Sequence, residues 1–311
     1  MSRARRAGTG GGGALRGVPG QHPLSVAFGK GTARQRRLGG LLRRLRQSAG
    51  LSGPVLAARL GISQSHLSRV ELGEAAATAE LVDSWTQQTG ASPADRETAV
   101  DLAEAVAEEI VTWREAVASG LVKLQRDALD AEATAATRMA YVPALIPGLM
   151  QTPEYATHLV AGDHPDRDDV AEAVAARMQR QVILYSGTKS LRWVIGEAGL
   201  RWRVGPPQVM AAQLDRLAAL TGEPQLDVRV LPFERTGPVW HDHGFTILAD
   251  RADGEPDLVH LELLTGLVNI TDSKEIAQYG AAYEQLADLA LRGAEAVPLI
   301  HQVRAELPAE H

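Results

Sequence analysis

The stretch that decides the fold runs from Gly61 to Glu74, GISQSHLSRVELGE. Its apolar residues are Ile62, Leu67, Val70 and Leu72, and no glycine or proline interrupts it before Gly73. Leu67 and Val70 lie three apart, so they share one side of a short helix. Gln64, Ser65, Ser68 and Arg69 must then face elsewhere. A solvated face would accommodate them, and so would the edges of base pairs. No acid occurs anywhere before Glu71, which a solvated face does not explain and an approach to phosphates does.

The flanks extend the pattern. Leu38, Leu41, Leu42 and Leu45 follow the spacing of a buried helical stripe, with Arg43, Arg44 and Arg46 on other faces. Gly50 is placed to end that helix. Ser52 can cap the next, which carries Pro54 in its first turn and buries Leu56, Ala57 and Leu60. Gly61 turns the chain, Ser63 caps a third helix, and Gly73 ends it. Leu81, Val82 and Trp85 mark a fourth helix closing at Gly90, and a further helical stretch starts near Pro93.

Five short helices with a tight glycine turn between the second and third match a helix-turn-helix DNA-binding domain. In that arrangement the third helix enters the major groove. Gln64 can pair bidentately with adenine and Arg69 with guanine, while Ser65 and Ser68 reach bases or phosphates. Arg43, Ser52 and Ser63 complete the candidate DNA-binding set.

The charge distribution agrees. Residues 1–70 hold 13 Lys and Arg and no Asp or Glu; the remainder holds 19 basic and 38 acidic residues, so a local +13 and a local −19 give the net −6. A basic end meeting a polyanion and an acidic body that does not is the simplest reading. Because 28 of the 32 basic residues are Arg, genome composition alone could explain the arginine content, and placement carries the argument. The 311 residues suffice for two domains. The absence of cysteine excludes structural disulfides, thiolate zinc sites and a cysteine nucleophile. No run of roughly 18 apolar residues and no secretory signal is visible, so a cytoplasmic protein with no membrane association is expected.

Residues 1–36 read as a disordered basic tail, either inert or sweeping along phosphates; the GKGT at Gly29–Thr32 is no phosphate-binding loop, since Gly31 follows Lys30. The helix-turn-helix domain spans 37–92. Connecting helices fill 93–140, with Val106, Ile110, Trp113 and Val117 as a stripe close to a heptad seam. That stripe packs either on its own neighbouring domains or on a second subunit. Residues 141–292 alternate helix-like segments (from Thr152–Pro153, Val170–Leu184, PQVMAAQLDRLAAL, Ser273–Leu291) with strand-like ones (LRWVIG, LDVRVLPF, GFTILAD, DLVHLELL, LVNIT). The expected fold is therefore a mostly α helix-turn-helix domain followed by an α+β C-terminal domain, with 293–311 as a tail.

The residues carry two resemblances. LRRLRQSAGLSGPVLAARLGISQSHLSRVELGE resembles the Xre-type, phage-repressor-like helix-turn-helix family. That resemblance implies an ion pair between Arg46, ending the first helix, and Glu71, ahead of the closing glycine. Two departures stand out. Gly53 replaces a frequent phosphate- or base-contacting Gln, leaving backbone N–H groups there, and the loop GEAAAT lacks basic residues. The body, through WREAVASGLVKLQRDALDAEATAATRMAYVPALIPGLMQTPEYA, EAGLRWRVG, QLDRLAAL, VRVLPF, HGFTIL and ELLTG, resembles the large C-terminal domain of actinobacterial WhiJ-type regulators. This second resemblance implies an antitoxin-like protein regulated by a small protein partner encoded nearby.

Chemistry is sparse. His241 and His243 flank Asp242 and could share a face, but no third ligand has suggestive spacing, so no metal is expected. The acids of Asp163–Asp169 precede a helix and read as capping. There is no nucleophile elbow and no glycine-rich loop after a strand, so no enzyme and no cofactor are expected. Trp193, Trp202 and Trp240, with Tyr185, suit core packing or a ligand cleft. The overall expectation is a homodimeric, sequence-specific regulator binding double-stranded DNA, its body sensing a small protein partner or ligand; the alternative is an antitoxin that neutralises its partner and autoregulates.

Overall fold

In a computed structural model, residues 33–107, 110–118, 120–235, 237 and 243–308 are described. The N-terminal part is the expected five helices: α1 (Ala33–Ser48), α2 (Gly53–Leu60), α3 (Gln64–Leu72), α4 (Ala79–Thr89) and α5 (Pro93–Ala107). Leu38, Leu42, Leu56, Leu67, Val70, Val82 and Trp85 form its core. Trp85 is fully buried, and its Nε1 donates to the Leu42 carbonyl at 3.2 Å, so burying the indole leaves no orphaned donor.

Beyond Ala107 the chain departs from a long connecting helix. Ile110–Thr112 is a strand, β1, followed by α6 (Trp113–Val117) and α7 (Leu121–Thr134). The β-branched run Ile110, Val111, Thr112 favours extended backbone and pairs antiparallel with a later strand. The Val106–Val117 stripe therefore never forms one helical seam. Trp113 packs instead with Leu121, Leu124, Val160 and Leu267, and its Nε1 donates to the Leu263 carbonyl at 2.8 Å. Val117 joins the same cluster.

Ala135–Val142, expected among the connecting helices, is β2, an interior strand of the body's sheet. After it come α8 (Pro153–Asp163), α9 (Val170–Arg180), β3 (Ser190–Gly196), α10 (Glu197–Arg201), α11 (Pro207–Thr221), β4 (Leu226–Leu231), β5 (Phe245–Arg251), β6 (Leu258–Leu263), β7 (Gly266–Ile270), α12 (Ser273–Leu289), β8 (Leu291–Arg292) and α13 (Val297–Ala305). The eight strands lie in the order β1-β7-β6-β5-β2-β3-β4-β8, with β2, β3 and β4 mutually parallel and the other pairs antiparallel. This is the mostly α plus α+β architecture expected. The segment 293–311 is not a bare tail, however: α13 buries Ile300 and Val303 against the core that α11 shares.

The sheet separates two apolar layers. Ala140, Leu191, Trp193, Ile195, Val228 and Val230 face α8, α11 and α13, while Tyr141, Val194, Phe245, Ile247, Val259 and Leu261 face α12. Alternate residues of β2 thus serve opposite layers, as the pleat requires.

Asp169 does precede α9, but its side chain does not cap that helix. It accepts from the Leu121 N–H at 2.9 Å and from Arg167 Nε and Nη2 at 2.7 Å each, tying the start of α7 to the loop before α9. The Arg167 hydrogen bonds hold its carboxyl down at about 2.

Candidate nucleic-acid interface

The turn between α2 and α3 is set by Gly61, whose φ of 69° lies in the left-handed region that a side chain disfavours. Its N–H reaches back to the α2 carbonyls of Ala57 and Ala58. Two residues on, the Ser63 hydroxyl accepts from the His66 N–H at 3.0 Å, satisfying a donor at the start of α3. The Ser52 hydroxyl makes no such bond at the start of α2, contrary to expectation, and Ser52 is exposed there.

α3 buries His66, Leu67 and Val70 and exposes Gln64, Ser65 and Ser68. The burial of His66 was not foreshadowed by the spacing, which placed only Leu67 and Val70 inward. α1 crosses α3 at close range: a Cβ on Gly39 would sit 2.4 Å from the Val70 carbonyl oxygen. Such an approach admits only glycine. The pair implied by resemblance is present. Arg46 Nε and Nη2 meet Glu71 Oε1 and Oε2 at 2.5 and 2.8 Å, and Arg46 Nη1 donates to the Leu51 carbonyl at 2.9 Å. The contact with Glu71 raises the Arg46 pKa further and locks the ends of α1 and α3 together.

Arg43 is exposed on α1, and α3, which presents Gln64, Ser65 and Ser68, carries no carboxylate before Glu71. Arg69 is placed differently. Its guanidinium forms a salt bridge with Glu255, which follows a short 3₁₀ turn at Ala252–Gly254 between β5 and β6. Glu255 is buried and also pairs with Arg251, whose Nε and Nη2 donate to Thr134 Oγ1 at 3.2 and 3.1 Å. Ile62 completes the contact: a Cβ on Gly254 would lie 2.9 Å from its Cγ2. The turn of the helix-turn-helix and the C-terminal half of α3 thus dock on the tip of the β5–β6 hairpin. Sequence reasoning missed Glu255, because nothing local marks a carboxylate that acts on a distant helix.

Residues 37–99 match a helix-turn-helix domain family, and residues 125–302 match a domain of unknown function, DUF5753. The chain belongs to the DUF5753 family. No curated protein and no solved structure matches it. The DUF5753 match begins within α7 and ends within α13, which agrees with both elements packing into the body.

Other candidate positions resolve simply. Among the described residues no group of three or more His, Cys, Asp or Glu could hold a metal ion. His241, Asp242 and Trp240 lie outside the described residues, as does GKGT, while His243 sets its ring edge-on to Tyr279. Trp193 is buried in the core, whereas Trp202 and Tyr185 are exposed. Among the described residues no helix is long and apolar enough to cross a membrane.

Proposed function

We propose that this chain is a sequence-specific, Xre-type transcription regulator, a binding protein and not an enzyme, whose C-terminal domain senses a ligand or a small protein. The observation that supports it is the exposed, acid-free face of α3 bearing Gln64, Ser65 and Ser68 on a domain matching a helix-turn-helix family. Such a helix presents side chains to base edges while exposed arginines such as Arg43 meet phosphates. One recognition helix reads few base pairs, so two copies on a two-fold operator would supply the needed discrimination. Selection of binding sites from random duplexes tests the reading. Gln64→Ala should relax preference at one position at a cost of roughly 1–3 kcal/mol, and Arg43→Ala should weaken all sequences alike and flatten the salt dependence. A selected motif identical for wild type and Gln64→Ala would refute the assignment.

A second reading, in which the body is WhiJ-like and antitoxin-like and holds a small protein, is favoured by Val182 and Tyr185. These large side chains are exposed three residues apart on the 3₁₀ turn Gln181–Tyr185, an apolar spot open to a partner. Growth rescue on co-expression with the neighbouring gene product would distinguish an antitoxin from a regulator alone.

A further inference from the structure

The body contains a cavity of about 440 Å³ between the sheet and α8, within the range of small-molecule sites. Its floor is polar. Thr246 and His260 are register partners on β5 and β6, and Arg138 of β2 and Glu262 of β6 line the same space. His260 is oriented from behind, its Nδ1 lying 2.7 Å from Asn269 Oδ1. The opposite wall mixes Leu159 with His158 and Asp163 of α8, and the exposed indole of Trp202 stands at the mouth.

Arg138 gives the cavity its chemical preference. It is 4% exposed, yet its Nη1 has no hydrogen-bond partner among the described residues. Its guanidinium lies 5.1 Å over the Trp193 ring. The nearest counter-charge is Glu132, at 3.4 Å from its Nε, but Glu132 is already committed to Arg180 through contacts of 2.8 and 3.2 Å. Two guanidiniums therefore share one carboxylate. The two carboxylates that line the cavity, Asp163 and Glu262, act on the buried guanidinium of Arg177 behind it, so Glu132 is the one carboxylate that acts on Arg138. A buried cation without its own counter-ion is costly, and a ligand anion removes that cost.

We propose that this cavity binds a small amphipathic monocarboxylate, its carboxylate on Arg138 and its hydrocarbon part between Leu159 and Trp202. The site rests on reading the body as a sensor, and its position suits that role. β5 and β6 run from Thr246 and His260 at the cavity floor to Glu255 at the Arg69 contact, so a single hairpin touches both.

Octanoate, methyl octanoate and octylamine are the probes, titrated calorimetrically into the full chain. Octanoate should saturate one site per chain, with the ester and the amine at least tenfold weaker. Gly162 in α8 lines the cavity and has open space where a side chain would begin, so Gly162→Leu should fill it without harming the helix. That variant should melt no lower than wild type and bind octanoate at least tenfold more weakly, as should Arg138→Gln if it folds. Equal binding of all three probes, no octanoate binding, or octanoate affinity unchanged by Gly162→Leu would overturn the proposal. Duplex binding is measured separately on the same samples. A chain that takes octanoate through this site yet binds no DNA would sink the regulator reading and leave the site standing.

Discussion

Arg69 of α3 is bridged to Glu255, a buried carboxylate in the C-terminal body that simultaneously holds Arg251. A guanidinium so engaged cannot also reach a guanine edge, so DNA binding through Arg69 requires the contact to open. The body then competes with the duplex for one side chain. Glu255→Gln keeps the shape of the site and removes its charge. Duplex affinity of the full chain should rise roughly two- to fivefold, since a partly exposed pair is worth about 1 kcal/mol at most. Titration at fixed salt checks this, and an unchanged or lower affinity would show that Arg69 and DNA do not compete.

The Arg46–Glu71 pair makes a different demand. Their side chains are only 14% and 8% exposed, so removing one partner strands a largely buried charge. Glu71→Ala should cost roughly 3 kcal/mol or more in denaturant unfolding, and Glu71→Gln, which preserves a hydrogen bond, should cost less. Equal, small losses for both would mean that the charge contributes nothing beyond packing.

What was legible in the sequence follows from how local the signals are. α1 to α4 announce themselves through leucine spacing, Ser63 and terminal glycines, all read within a turn or two. The strands from β3 to β7 show short apolar clusters or alternation. β2 does not, because its inward positions include Arg138 and two alanines, so a buried charge and small side chains mask the alternation. β1 was hidden for the opposite reason. Val106, Ile110, Trp113 and Val117 have helical spacing, yet pairing with β7 overrides it. The candidate interface was legible as far as one helix carries it. The Glu255 contact and the cavity depend on distant strands meeting, which no local pattern encodes.

Asp169 yields a pH dependence of stability. Its carboxyl is held at about 2 in the folded chain, below the 3.8 of an unconstrained aspartate, chiefly by hydrogen bonds from Arg167. A depressed folded value means that its contribution is fully present above about pH 4 and is lost as pH falls towards 2. Replacing it by Asn should lower stability at neutral pH and flatten the stability curve between those limits. Urea midpoints measured from pH 6 down to 2.5 test this. If wild type and Asp169→Asn lose stability in parallel across that window, the clamp on α7 is not ionic.

Trp113 decides between the two uses of the stripe. In a subunit seam it would be exposed in the single chain; instead it is 4% exposed, packed among Leu121, Leu124, Val160 and Leu267, with its indole N–H on the Leu263 carbonyl. The residue therefore ties the segment after the helix-turn-helix domain to the sheet edge. Trp113→Ala should cost about 3–5 kcal/mol of stability, from lost burial and the cavity left behind. It should leave the oligomeric state of the chain that remains folded unchanged. Sedimentation alongside unfolding separates the outcomes: a variant that stays fully stable but changes its association state would restore the subunit seam and overturn this packing role.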